Sequence, residues 1–285
     1  MHSIQFGKIT KEFPEGIAEM SDAQYRYFSF LELNRQQGRM DMKTLETLFV
    51  YFVMDMVHAS ESPKSVENIT RLRELVRPYF VDQESKNKKE IRKIVDLNFV
   101  KNPLPEIIID KTVLLGPDAA LANCSYEEVF VHCQNAMIDF CNTNDQTCLD
   151  EMVAVLYRPA RKNKRPKFSS EDLEERIQLV SKLPPEVKFG VFMFFSSCHK
   201  FITTADALTL KGGIEVNIAQ LFKPSKKKAK GVGPVGVIWD LAESNVFGNA
   251  EDTGKVNVYD VLVRMVQLHE KAEELKKKDD HRSKT

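Results

Sequence analysis

The sequence lacks any apolar run long enough to cross a bilayer, which takes about 20 residues as a helix. Its most apolar stretch, Val187 to Ile202, is broken by Gly190, Ser196, Ser197 and His199 and carries Lys188 and Lys200 near its ends. It reads as a buried helix. An excess of charge of either sign is also missing: Lys+Arg and Asp+Glu both number 41, so no global field steers the chain to nucleic acid or an anionic membrane. Met1 to Lys11 has no apolar core of the kind a secretory signal needs, and none is expected. The 5 cysteines (Cys124, Cys133, Cys141, Cys148, Cys198) are an odd set without a disulfide framework's spacing, which fits a reducing cytosol. Charged residues at 29% and hydrophobic ones at 42% then argue for a globular chain rather than a disordered one.

What is present is mostly helical pattern. Residues 2–13 alternate loosely and read as one or two short strands or an extended arm. Ser21 to Gln24 has the form of a capping box, followed by a helix with Tyr27, Phe30 and Leu31 on one face. Periodicity from Asp41 predicts a central helix, its core stripe being Leu45, Leu48, Phe49, Phe52 and Met56. A third, from near Ser65, ends near Arg77-Pro78. Residues 83–93 are polar and basic and read as a linker or an exposed helix start. The β-branched runs around 107–115 predict extended chain, with a small hairpin around Asp110-Lys111. A second capping box, Ser125 to Glu128, opens a helix with Tyr126, Val129, Phe130, Cys133, Met137, Phe140 and Cys141 on one face. Shorter helices follow at Leu149–Leu156 and Leu173–Val180, on either side of a basic loop from Arg158 to Lys167, and then the apolar helix 186–203. Two more are expected near 235–246 and 257–278, after a Gly/Pro/Lys-rich stretch that reads as a mobile loop or linker. The expected fold is mainly α: a helical core domain over 1–205 with short extended segments near the N-terminus and around 107–115, and a smaller helical part over 206–285 with a frayed tail. No internal repeat is seen.

Motifs that would carry chemistry have simpler readings. Gly231 to Gly236 matches GxGxxG, but a lysine run precedes it, Pro234 stiffens it and no βαβ alternation surrounds it, so it reads as a flexible loop. The cysteines with His132 and His199 lack the paired spacing of a zinc site. The 6 histidines are scattered, and no nucleophile–base set is spelled out. No catalytic residue, cofactor or metal is expected. The residues singled out for partner binding are the basic ones: Arg158, Arg161, Lys162, Lys164 and Arg165 in the first cluster, and Lys226, Lys227, Lys228 and Lys230 in the second. Each cluster could contact phosphates, yet neither interleaves aromatics, so a solvated loop is the simpler reading and an acidic protein partner a further one.

Several strings, in order and spacing, resemble tail-assembly-chaperone-type proteins of tailed bacteriophages and prophages. They are Phe13-Pro14 with Glu19-Met20-Ser21 and Gln24; Leu104-Pro105; Gly116-Pro117-Asp118 with Leu121-Ala122-Asn123; Leu156-Tyr157-Arg158-Pro159; Arg176 with Leu183-Pro184; and Phe194-Phe195. The likeness covers about residues 3–203, and the C-terminal part matches loosely. It implies a non-enzymatic protein of the host cytoplasm that binds the tape-measure protein, the tail-tube subunits or both, and it transfers no catalytic residue. The surplus aromatic and methionine residues of helices 42–58 and 186–203 could then form a groove for an amphipathic helix, although burial in the protein's own core is the expected fate of most of them, and 223–236 could be an arm that orders on binding. The alternatives are a minor virion structural protein and a nucleic-acid-binding adaptor using 158–167 and 223–230.

Overall fold

The computed structural model describes residues 1–6, 9–56, 62–84, 91–209, 213, 215–223 and 233–282. Helices dominate, and every sheet is small. The chain opens with a hairpin of β1 (His2–Phe6) and β2 (Ile9–Phe13), in register from His2 opposite Phe13. The capping box predicted at Ser21 forms: Gln24 N–H donates to Ser21 Oγ at 3.3 Å and Ser21 N–H donates to the Gln24 side chain at 2.9 Å. Two otherwise orphaned amides are thereby satisfied, and α1 (Asp22–Gln36) starts there. Its buried face includes Tyr25, Phe28, Leu31 and Glu32; of the predicted face Leu31 is buried, Tyr27 is half-buried and Phe30 is exposed. Two apolar stripes coexist on this helix, and neighbouring elements choose between them. Asp41 caps α2 (Met42–Met54) by accepting the Thr44 N–H at 2.7 Å, and α3 (Pro63–Arg73) packs on it through a buried Arg73–Glu46 ion pair of 2.7 Å.

Between α3 and the middle of the chain lies a hairpin in place of the expected linker or helix start. β3 (Phe80–Glu84) pairs with β4 (Ile91–Val95) antiparallel, Phe80 opposite Val95 and Asp82 opposite Lys93. Lys93 reaches Asp82 at 3.2 Å, so charges that read as a solvated run are partly cross-strand partners. Among the described residues of the two strands, only Phe80 and Val95 at the base are buried. The predicted hairpin around Asp110-Lys111 is present as β5 (Glu106–Ile109) and β6 (Thr112–Leu115). Both turn residues have positive φ, 46° and 75°, as a two-residue turn that matches strand twist requires.

The helix begun at Ser125 is π-helical over Glu127–Cys133 and continues directly as α4 (Gln134–Thr143). A π stretch turns more slowly than the 3.6-residue period, so the predicted stripe loses phase along it. Tyr126, Val129, Phe130, Cys133 and Phe140 are buried as expected, whereas Met137 is half-buried and Cys141 is exposed. After α5 (Gln146–Leu156), the segment β7 (Arg158–Pro159) adds to the β5–β6 hairpin as a third strand, Leu115 opposite Arg158. Then come α6 (Leu173–Val180) and α7 (Pro185–Thr204). α7 is the central helix: Val187, Phe189, Val191, Met193, Phe194, Phe195, Cys198 and Ile202 are all buried. It meets α1 where Tyr25 donates its hydroxyl to Gly190 O at 2.7 Å.

The remainder comprises a short hairpin of β8 (Leu208–Thr209) and β9 (Glu215–Val216), then α8 (Pro234–Glu243), α9 (Ala250–Gly254) and α10 (Val258–Arg282). Ile218, Ile238, Leu241, Val258, Val261 and Leu262 join the same apolar cluster as residues of the first part. Among the described residues no helix is long and apolar enough to cross a membrane.

Three of the phage-like strings meet at one place. Tyr157 donates its hydroxyl to Leu104 O at 2.7 Å, and its ring lies against Gly116, where an added Cβ would fall 2.5 Å from the ring. Asn102 Nδ2 on the other side donates to Pro117 O at 3.0 Å. Gly116→Ala should therefore force the ring or the backbone to move and cost about 1–3 kcal/mol, as overpacked sites do. An unchanged urea midpoint would show that the contact is slack.

Candidate functional site

The second capping box carries more than a helix start. Ser125 N–H donates to Glu128 Oε2 at 2.8 Å and Glu128 N–H donates to Ser125 Oγ at 3.3 Å. The other carboxylate oxygen, Glu128 Oε1, lies 2.6 Å from Arg165 Nη2 and 2.7 Å from Arg158 Nη2. All three side chains are withdrawn from solvent. Local structure explains how two arginines seven apart reach one acceptor. Pairing of β7 with β6 turns the chain inward at Arg158. Arg161 and Lys164 then exchange backbone hydrogen bonds of 3.0 and 3.1 Å across Lys162-Asn163, both at positive φ, and this tight turn brings the chain back.

The two guanidinium groups are held differently. Arg165 donates from Nε to Leu156 O at 3.0 Å, from Nη1 to Asn123 O at 3.1 Å and from Nη2 to Glu128. Arg158 meets Glu128 through Nη2 in the ion pair, while its Nε and Nη1 have no hydrogen-bond partner among the described residues. Its ring neighbour Phe168 lies 5.8 Å from the guanidinium carbon, within cation–π range, and Arg176 stands 5.6 Å from the same ring. Burial pulls the Arg158 guanidinium down to about 10, against the opposing field of Glu128, and leaves it charged at neutral pH. Glu128, Arg158 and Phe168 border a cavity of about 460 Å³, with Ser125, Asn257, Lys167 and Lys255.

Close by, His132 Nε2 lies 3.5 Å from Glu127 and Nδ1 lies 3.4 Å from Glu151, and these carboxylates raise the imidazole to about 9. The buried thiol of Cys124 is pushed up to about 12 by burial, so it is protonated and unreactive at neutral pH. Among the described residues no group of three His, Cys, Asp or Glu side chains is placed to hold a metal ion.

Of the basic residues singled out from sequence, Arg158 and Arg165 are thus not part of a solvated loop. Their guanidinium groups face Glu128, because a carboxylate buried at a helix start needs cations more than water-facing loops do. Arg161, Lys162 and Lys164 are exposed, as is Lys167. Lys226, Lys227, Lys228 and Lys230 lie outside the described residues, as does most of the 223–236 arm and the start of the GxGxxG string. Most apolar residues of α7 are buried in the core, as expected, and Phe201 near its end is 36% exposed. α2 keeps one ring outside: Phe52 is 41% exposed and stacks on Tyr27 at 4.3 Å, with Phe30, 42% exposed, 6.1 Å from Tyr27. A row of three rings therefore runs along the seam of α1 and α2. On α8, Trp239 is 61% exposed with Val235 one turn before it. Helix 42–58 is expected from sequence to offer surplus rings to a groove, and Phe52 does so, whereas the exposure of Phe30 and of Trp239 is not anticipated there.

No protein-family model, no curated protein and no solved structure matches this chain.

Two expectations test the site. Glu128→Gln would strand two buried cations and should cost about 3–5 kcal/mol of stability; a change under about 1 kcal/mol in chemical denaturation would show that the pairings carry little. His132 titrates higher folded than the 6.5 of a free imidazole, so its contribution is complete below 6.5 and is lost as pH rises through about 9. His199, lowered by burial, acts oppositely and weakens the fold as pH falls through 6.5. The wild-type melting temperature should accordingly decline from pH 6.5 to 9.5, and His132→Gln should flatten that limb; parallel profiles would refute the assignment.

Proposed function

We propose that this chain is a non-enzymatic assembly protein of tailed bacteriophages or prophages, a chaperone that holds the tape-measure protein, the tail-tube subunits or both. The reading starts from the phage-like strings, which in the folded chain serve as architecture: a ring against a glycine, a capped helix, a buried arginine. Strings of that kind specify a scaffold, and the reading takes that scaffold to act through its surface.

The observation that carries the proposal is the row of Tyr27, Phe30 and Phe52. Two of these rings are more than two-fifths exposed, although burying an aromatic side chain is among the larger gains a fold can make. They lie where α1 meets α2, and a strip of exposed rings of this kind can receive the i, i+3 and i+4 side chains of an amphipathic helix. A tape-measure protein, long and helical, offers such faces repeatedly. The nucleic-acid reading is weakened by the withdrawal of Arg158 and Arg165 from the surface, which removes two of the charges it relied on.

Co-expression with the tape-measure protein of the same phage gives the test. The wild-type chain should co-purify with it and keep it soluble, and the double substitution F30D/F52D should reduce retention at least tenfold with little change in melting temperature. Absence of wild-type binding to both the tape-measure protein and the tube subunits would refute the proposal.

A further inference from the structure

We propose that two copies of this chain pair reciprocally, α10 of each lying on α8 of the other. The inference is independent of the assembly reading. It begins on α10, where Val261, Met265, Leu268, Ala272 and Leu275 recur at alternating steps of four and three, the spacing of a helix–helix seam. The seam starts in the core and runs out of it. Val261 is buried and Met265 half-buried, whereas Leu268 is 39% and Leu275 61% exposed. From Gln267 to Asp279 every residue is exposed except Glu273. The opposite face of this length, with Glu270, Glu273 and Lys277, borders a cavity with Gln220, so the two leucines point away from the body. Helices of a few turns owe most of their stability in water to the packing of an apolar face, and the outer part of this seam has no cover among the described residues.

The matching surface is on α8. Val235 and Trp239 stand one turn apart, 36% and 61% exposed, outside the face that Ile238 and Leu241 bury. The charges beside each strip decide the occupant. Lys271 and Lys278 edge the leucine strip and are exposed; Asp240 and Glu243 edge the tryptophan strip and are exposed too. Lys276, on the other side of the leucines, is already drawn to Glu273 at 2.6 Å. Two α10 seams laid together would bring lysine towards lysine, and two α8 strips would bring carboxylate towards carboxylate. Cross-pairing sets apolar strip on apolar strip and cation beside anion, and charge opposition of this kind selects partner and register. One chain carries both halves, so the fitting partner is a second copy. Under a two-fold axis the contact of α10 with α8 occurs twice, and both strips of both copies are covered at once. An unrelated acidic helix on α10 would leave Trp239 bare.

Sedimentation equilibrium of the full chain over a wide concentration range gives the test. The wild type should form a dimer that dissociates on dilution. L268D/L275D and V235D/W239D should each weaken it at least tenfold, and because all four side chains lie at the surface, circular dichroism should show the wild-type fold. The charges give the sharper result. K271E/K278E and D240K/E243K should each be weakened alone, whereas an equimolar mixture of the two should associate as the wild type does, because both contacts of the mixed pair again join opposite charges. A wild type that stays monomeric to its solubility limit would overturn the proposal, as would a dimer untouched by L268D/L275D. A dimer weakened by K271E/K278E but not by D240K/E243K, or a mixture that fails to restore association, would set α10 on some surface other than α8. Particles that keep growing with concentration would exclude the closed pair. Each of these results overturns it.

Discussion

One buried carboxylate that must answer two buried cations constrains the middle of the molecule. Moving a carboxylate out of water costs several kcal/mol unless partners replace the lost solvation, and Glu128 obtains those partners from three separate pieces of chain. The backbone at Ser125 occupies one of its oxygens, and Arg158 and Arg165 converge on the other. To deliver both arginines, β7 must join the β5–β6 hairpin and the chain must reverse at Lys162-Asn163. The position of the small sheet, the tight basic turn and the start of the π-helical stretch are consequences of the same requirement.

The phage-like strings fall into this framework as supporting contacts. Tyr157 precedes Arg158 and is clamped by Leu104 O and Gly116, which sets the direction in which β7 leaves α5. Arg176 donates to Ala154 O at 2.9 Å and to Ser169 O at 2.8 Å, tying α6 back to α5 and to the chain just beyond Phe168. These residues therefore speak to how the scaffold is held, while the exposed rings of α1 and α2 and the apolar strips of α8 and α10 are features of its outside. The two surfaces draw on different elements, so a change in one need not disturb the other.

Much of the fold was legible in the sequence. Both capping boxes, the hairpin at Asp110-Lys111 and the buried apolar helix α7 were readable because each depends on local chemistry: a side chain reaching three residues on, a turn of given type, a continuous apolar run. What failed depended on remote partners. The β3–β4 hairpin was hidden because Asp82 and Lys93 look solvated until they are placed opposite each other. The buried face of α1 could not be chosen between two stripes before α7 was set beside it, and the π stretch shifted a helical phase that no residue pattern announced. Of the candidate site, the capping role of Glu128 was legible, but the fate of Arg158 and Arg165 was not. A charged residue followed by proline in a lysine-rich segment carries no local mark of burial.

The contact between Tyr25 and Gly190 spans 165 residues of chain. At a synthesis rate of about 5–20 residues per second, roughly 8 to 33 s separate the emergence of those two partners on the ribosome. Through that interval the face of α1 that ends against α7 has no native cover on that side, and its apolar surface is open to chance contacts. The central contact of the fold is therefore one that cannot form until two thirds of the chain, through Gly190, has been made and has left the ribosome.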